Sequence, residues 1–364
     1  MTERTLPPAP DDPVRPPRDE TASVRLAESG LVPDFLLRHA MRRLCAARLR
    51  EERIDGFAAT AERQRARIDE LRASPIAIET GAANAQHYEL PPTFFELCLG
   101  RQLKYSACYW DAGVADLDGA ELRMLEIVGE RAQLGDGQHV LELGCGWGSL
   151  TLWMAARFPT ARITAVSNSQ SQREFIQARC EERRLRNVEV ITADVNSLQQ
   201  TAGQFDRVVS IEMFEHMRNY ERLLSRIGTW LVPGGKLFVH IFCHRNLLYP
   251  FQTHGESDWM GRHFFTGGLM PAADTLLHFQ RDLTLEQRWL FPGTHYEKTA
   301  NAWLANQDRN ADAVLGVLRE AYGERDGRRW QQRWRMFWMA CAELFGYAGG
   351  SEWLVAHYRF TRGP

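Results

Sequence analysis

Val140-Leu-Glu-Leu-Gly-Cys-Gly-Trp-Gly148 is an apolar run that stops at three closely spaced glycines, Gly144, Gly146 and Gly148. Helical spacing follows at once, from Ser149 to Phe158. Strand, glycine turn and helix in that order open an α/β crevice, because glycine lets the backbone turn left-handed and lets a ligand approach closely. Outward from this point the pattern alternates. Strand-like runs occupy Val140–Leu143, Arg162–Ser167, Val188–Thr192, Phe205–Ile211 and Lys236–Phe242, with helices at about 149–158, 170–184 and 219–231 between them. Pro233-Gly-Gly marks a turn before Lys236, and Trp353–Phe360 alternates like a closing strand. Such alternation predicts a mostly parallel sheet with ligands at the carboxyl ends of its strands.

The glycine spacing is G-x-G-x-G behind an acidic strand residue, Glu142, not the G-x-G-x-x-G of dinucleotide sites. That suits S-adenosylmethionine, which has no pyrophosphate to seat on a helix N-terminus. On the glycines alone, a plain turn in an α/β sheet stays open as the alternative. The strand ends also collect Ser167-Asn168, Ala193-Asp194, Glu212 to His216 and His240 to His244.

The chain has 364 residues, a net charge of −2 and 44% hydrophobic residues. That allows two domains, or one large domain with additions. The charge balance carries no nucleic-acid footprint, and no apolar run is long enough to span a bilayer. Residues 1–22 are Pro-rich and charged, which predicts a disordered tail without a signal peptide. Residues 23–85 read as a helical N-terminal domain. In its first long helix Phe35, Leu36, Ala40, Met41, Leu44 and Leu49 form the apolar side. Arg38, Arg42, Arg43, Arg48, Arg50 and Arg53 form the other, read as a solvated face in preference to a membrane-facing one. Residues 86–364 form the main domain, interrupted at about 245–340 by an aromatic, helical cap. Seven scattered cysteines without C-x-x-C predict reduced thiols and a cytoplasmic setting.

Three clusters could carry chemistry. Glu212-Met-Phe-Glu-His216 holds two carboxylates and an imidazole just past a strand end. This is a plausible acid–base set, although acidic residues at a helix start would read the same way. His240, Cys243 and His244 share the next strand end, in a spacing that matches no metal motif; no metal is expected. The third cluster is the aromatic segment around Trp259, Phe264, Phe265, Tyr296, Trp303, Trp334, Phe337 and Trp338. Its rings could hold a sulfonium or ammonium, or form an ordinary core.

Together, Tyr105-Ser106, the Leu-Gly-Cys-Gly-Trp-Gly run, and Phe-Asp-Arg-Val-Val-Ser-Ile with the Phe-Glu-His behind it resemble the S-adenosylmethionine-dependent methyltransferases related to cyclopropane fatty acid synthases. Within that group the chain is most similar to the coclaurine-type, or benzylisoquinoline, N-methyltransferases of plants. The likeness runs from about Leu31 to Arg362. It includes Ser-Gln-Arg-Glu-Phe-Ile at 171–176, Ile-Glu-Met-Phe-Glu-His-Met-Arg-Asn-Tyr at 211–220 and Phe-Gly-Tyr at 345–347.

The resemblance implies a Rossmann-like class I methyltransferase fold with a mostly parallel seven-stranded sheet. It places Tyr105, Ser106 and Gly144 on the methionine part of the cofactor, with Gly146 in the same glycine loop as Gly144. Ser167, Asn168 and Gln172 fall on the ribose, and Asp194 and Val195 beside the adenine. It implies a reaction site at Glu212, Glu215 and His216, with Glu215 orienting His216, and substrate-facing aromatics at Trp334 and Phe337. The expected product of the cofactor is S-adenosylhomocysteine, and the expected partner is a small amine, with a homodimer as an option. The cyclopropane synthases hold a bicarbonate at positions matching Glu215, His240 and Tyr296. All three side-chain types stand here, while Glu212 agrees with the plant enzymes. Alkylation of lipid double bonds, with peripheral membrane contact, is therefore the alternative to amine N-methylation. A cofactor-binding scaffold without catalysis is the third reading.

Overall fold

The computed structural model describes residues 21–53, 56–78, 90–251 and 258–363. Of the expected tail 1–22, only Thr21 and Ala22 are among them.

Seven strands form one sheet in the order β3-β2-β1-β4-β5-β9-β8. They are β1 (His139–Leu143), β2 (Arg162–Ser167), β3 (Val188–Thr192), β4 (Phe205–Ile211), β5 (Leu231–His244), β8 (Thr284–Pro292) and β9 (Trp353–Thr361). The first five pair in parallel; β9 runs antiparallel to both β5 and β8. A two-stranded ribbon, β6 (Tyr249–Pro250) with β7 (Leu269–Met270), stands apart. The mostly parallel sheet expected from the sequence is present.

Helices connect and cover the sheet. In chain order they are α1 (Ala22–Glu28), α2 (Asp34–Glu52), α3 (Phe57–Ala73), α4 (Pro92–Cys98), α5 (Leu117–Ala132), α6 (Ser149–Arg157), α7 (Gln170–Glu182), α8 (Tyr220–Trp230), α9 (Trp259–His263), α10 (Thr294–Arg309), α11 (Ala311–Tyr322) and α12 (Glu324–Gly346). The sequence dictates α8 clearly: Asn219 caps it by accepting the Arg222 N–H at 2.9 Å, and Leu223, Leu224 and Ile227 bury one stripe. β1 is buried at every position, as a central parallel strand must be.

Two expectations change. Residues 245–340 are not all cap, because β8 lies within them and completes the sheet edge. Its run Thr-Leu-Glu-Gln-Arg-Trp-Leu-Phe-Pro is mostly exposed, with Glu286 and Arg288 within it, which suits an edge strand and hides its alternation. The apolar face of α2 is also displaced. Leu37, Cys45 and Leu49 are buried at helical spacing, whereas Phe35 is 68% exposed and Leu36 48%. Several of the arginines also pair with the rest of the protein. Arg38 and Arg42 pair with Glu343 of α12 at 2.9 and 2.6 Å, and Arg53 pairs with Glu352 at 2.6 Å. Charge as well as apolar contact docks this helix.

Candidate active site

A cleft opens at the carboxyl ends of β1, β2 and β4. Gly144 turns the chain off β1 at φ +78°, and a Cβ there would lie 2.7 Å from Cγ of Met213. Gly148, at φ +79°, starts α6 with Ile176 against it. Both positions need glycine, for conformation and for room. Gly144 and Gly146 line the cleft with Tyr105, Ser106, Ser167, Asn168, Gln172 and Val195. Asp194 does not join that wall. Its carboxylate accepts the Asn196 N–H at 2.6 Å and shapes the turn that presents Ala193 and Val195.

The segment carrying Tyr105 and Ser106 is held from behind. The Glu121 carboxylate of α5 accepts the backbone N–H groups of Gly100, Gln102 and Lys104 at 2.9, 2.8 and 3.2 Å. Burial raises Glu121 to about 7 against those donors. Glu142, on the cleft wall, accepts the Thr151 hydroxyl at 2.5 Å and is pushed up by burial to about 8. Ser167 donates to Gln172 Oε1 at 2.6 Å. Three buried polar atoms of cleft-lining residues, Gln172 Nε2, Ser149 Oγ and Trp147 Nε1, have no hydrogen-bond partner among the described residues. Orphaned donors of this kind suit the hydroxyls and carboxylate of an adenosyl amino acid.

A second cavity lies deeper, lined by Phe242, Phe265, Tyr296, Trp303, Phe337 and Phe345 among others. Tyr105, Glu212 and His216 line both cavities and so stand at their junction. Trp334 does not reach it. One turn of α12 from Phe337, it is fully buried in the aromatic core, with Phe94 at 4.7 Å, Phe264 at 5.0 Å and Trp338 at 5.1 Å between ring centres.

Glu212 is placed by a left-handed backbone, φ +45°, unusual outside glycine, and by its N–H donating to the His240 carbonyl at 2.8 Å. Its carboxylate accepts the Ala107 N–H at 2.8 Å, the Tyr296 hydroxyl at 2.7 Å and His240 Nε2 at 3.2 Å. Burial pushes Glu212 upward, opposed by the charge of Lys104 and these donors. Lys104, wholly buried, donates to Ser106 Oγ at 2.5 Å and the Ala107 carbonyl at 2.7 Å, and burial lowers its affinity for a proton. His216 stacks parallel on Phe265, 5.5 Å between ring centres. Burial and the Arg218 charge hold it down at about 4, so the imidazole is neutral.

Glu215 is not where the sequence suggested. It lines neither cavity, and its Oε1 accepts the Phe242 N–H at 2.7 Å. Oε2 has no partner among the described residues, so Glu215 does not orient His216. Burial and the neighbouring Glu212 push Glu215 well above the ordinary carboxylate range. Nor do Glu215, His240 and Tyr296 converge on a common point for bicarbonate, since His240 and Tyr296 both spend their donors on Glu212. His244 is separate again, its Nδ1 accepting the N–H groups of Asn246 and Leu247 at 3.1 and 3.0 Å.

Sequence reasoning missed Lys104, Glu121 and His357. The signal for His357 lies in the β5–β9 register, where His240 pairs directly with His357 inside two otherwise apolar runs.

With this geometry in view, comparison with known proteins is informative. Residues 78–349 match the family described as mycolic acid cyclopropane synthetase. The (S)-coclaurine N-methyltransferase of Thalictrum flavum subsp. glaucum is 37% identical over 343 residues, 92% of this chain and 94% of the relative. The cyclopropane-fatty-acyl-phospholipid synthase of Escherichia coli (strain K12) is 28% identical over 282 residues, 76% of this chain and 67% of the relative. A coclaurine N-methyltransferase crystal structure with N-methylheliamine and S-adenosylhomocysteine superposes with a TM-score of 0.90 at 36% identity, covering 94% of this chain and all of that one. A cyclopropane synthase from Mycobacterium tuberculosis superposes at 0.66 and 20% identity, covering 79% of this chain and all of that one, a likeness of fold. The chain therefore belongs to the mycolic acid cyclopropane synthetase family of S-adenosylmethionine-dependent methyltransferases.

Proposed function

We propose that this enzyme methylates the nitrogen of a small aryl-alkyl amine of the benzylisoquinoline kind. The observation that carries the reading is the position of Glu212 and His216 between the cofactor cleft and an aromatic cavity. When bound, S-adenosylmethionine supplies a methyl group on a sulfonium and leaves as S-adenosylhomocysteine. An ammonium has no lone pair, so the site's task is to receive a proton. A buried carboxylate with raised proton affinity and a neutral imidazole are both suited to that. The rings of Tyr296, Phe337 and Phe345 provide π faces for an aryl group and for positive charge. Most of the rate would come from orientation in a water-poor cavity. The amine-bound relative, similar along nearly its whole length, supports the same acceptor class.

The lipid alternative lacks its bicarbonate-holding set, because Glu212 already occupies the His240 and Tyr296 donors. The test offers labelled S-adenosylmethionine to two pools, benzylisoquinoline-like amines and vesicles of unsaturated phospholipid. We expect label in the amines only; label in the lipids overturns the reading, and cofactor binding without any methyl transfer favours a scaffold. A cytoplasmic setting is supported by seven cysteines that are all buried free thiols. Among the described residues, no helix is long and apolar enough to cross a membrane. Exposed Leu31, Phe35 and Leu36 support self-association through the N-terminal helices, which sedimentation would test.

A further inference from the structure

Glu212 is the near end of a chain of hydrogen bonds that leaves the site. His240 Nε2 faces Glu212 Oε1 at 3.2 Å, His240 Nδ1 faces His357 Nε2 at 2.8 Å, and His357 Nδ1 faces Arg131 NH1 at 3.2 Å. Guanidinium has donors and no acceptor, which fixes the direction of every link. His357 Nδ1 must carry the lone pair, so its hydrogen is on Nε2 and points at His240. His240 Nδ1 must then accept, so its own hydrogen is on Nε2 and points at Glu212. These directions hold with both rings neutral. Burial and the Lys104 and Arg131 charges hold both far below the ordinary histidine range. Arg131 is itself anchored at the end of α5, over the rings of Phe291 and Trp289 at 4.4 and 4.7 Å.

We propose that Arg131 and His357 are positioning residues that lock His240 as a donor to Glu212. Locked this way, the chain favours the carboxylate form of Glu212 between turnovers. The opposite tautomer would set a lone pair against Oε1. The chain also conducts nothing outward, because His240 offers Glu212 a hydrogen and no lone pair. A proton gained by Glu212 leaves on the cavity side, past His216. The catalytic part of this inference rests on the amine reading above; the tautomer part does not.

The test uses cofactor-bound full-length protein with 15N-labelled histidine. Ring-nitrogen shifts report the His240 tautomer, and steady-state kinetics report amine turnover. Wild type should show His240 as Nε2–H. His357→Phe, which fits the same aromatic surroundings but cannot donate, removes the hydrogen held against His240 Nδ1 and should let Nδ1–H appear whenever Glu212 is protonated and can itself donate to Nε2. It should lower kcat by about tenfold to a hundredfold, the size of effect that follows loss of an orienting partner behind a working group, with KM and S-adenosylhomocysteine affinity nearly unchanged. His357→Gln, with an amide N–H for His240 and a carbonyl for Arg131, should restore most of the loss. Arg131→Met probes the far end of the chain and carries the test if His357→Phe does not fold. Nδ1–H in wild type, or Nε2–H and full kcat retained in both disrupting variants, overturns the proposal. A wild type with Nε2–H that methylates no amine supports the locked tautomer and instead removes the acceptor reading.

Discussion

The cofactor cleft and the acid–base junction beside it are built in different ways. The cleft comes largely from backbone: the glycine turn after β1 and the carboxyl ends of β2 and β4 beside it, closed by the segment that carries Tyr105 and Ser106. The junction comes from side chains delivered by distant segments. Ala107 arrives from the loop before α5, Glu212 from the end of β4, His240 from β5, and Tyr296 from α10, and they meet on one carboxylate. A cleft made of backbone tolerates changes of side chain except where a glycine is required. A junction made of four segments fails when any donor is lost, because a buried polar group left alone costs about 1–3 kcal/mol.

The comparison is broken most sharply at Glu212. Glu212→Gln keeps the volume and removes the base. Amine kcat should fall by about 10²–10⁴-fold, with S-adenosylhomocysteine affinity unchanged by calorimetry. Loss of both together would mean that the two regions are one.

The next effect is on stability against pH. His216 titrates near 6.5 when unfolded but is held at about 4 in the folded protein by burial and Arg218. The unfolded chain therefore takes the proton first as pH falls. This group's contribution is complete above 6.5 and lost as pH drops through 4, on the order of 3 kcal/mol. His216→Gln should show a flatter decline of Tm with falling pH. Part of the slope should remain through His244, also held at about 4 by burial. A slope equal to that of wild type would show that His216 titrates normally.

Gly144→Ala tests the backbone side. A methyl at φ +78° beside Met213 should weaken S-adenosylhomocysteine binding by about tenfold. Retained affinity would mean that the turn adapts.

The smallest effects separate two neighbours on α12. Phe337→Ala should raise the amine KM by up to about tenfold, since the ring lines the aromatic cavity. Trp334→Phe should leave KM unchanged and lower only Tm. A shift of KM by Trp334→Phe would place that ring functionally at the cavity.

The cleft was largely legible in the sequence because strand, glycine turn and helix are local patterns. Gly144, Gly146, Ser167 and Asn168 line it where their places at strand ends imply, and Gln172 lines it where the family resemblance put it. The junction was legible as residue types and not as partnerships. Glu215 sits three residues from Glu212 and one from His216, but the short helical turn at Phe214–His216 sends it to the Phe242 N–H. His240 and Tyr296 were recognisable as donors, but only the fold shows that Glu212 takes both. β8 was hidden because an exposed edge strand needs no alternation, and the α2 stripe because the side that docks, Leu37, Cys45 and Leu49, also carries arginines paired with Glu343 of α12 and so is not the most apolar one in the sequence. His357 was hidden because register between strands more than a hundred residues apart has no local signature.

The central claim is that Glu212 provides from within the chain the carboxylate that accepts the proton. The most direct test is the initial rate of methyl transfer to a benzylisoquinoline-like amine in carefully degassed, bicarbonate-free buffer and again with bicarbonate restored. The same rate is expected in both. A rate that collapses without bicarbonate and returns with it would contradict the claim and restore His240 and Tyr296 as an anion site.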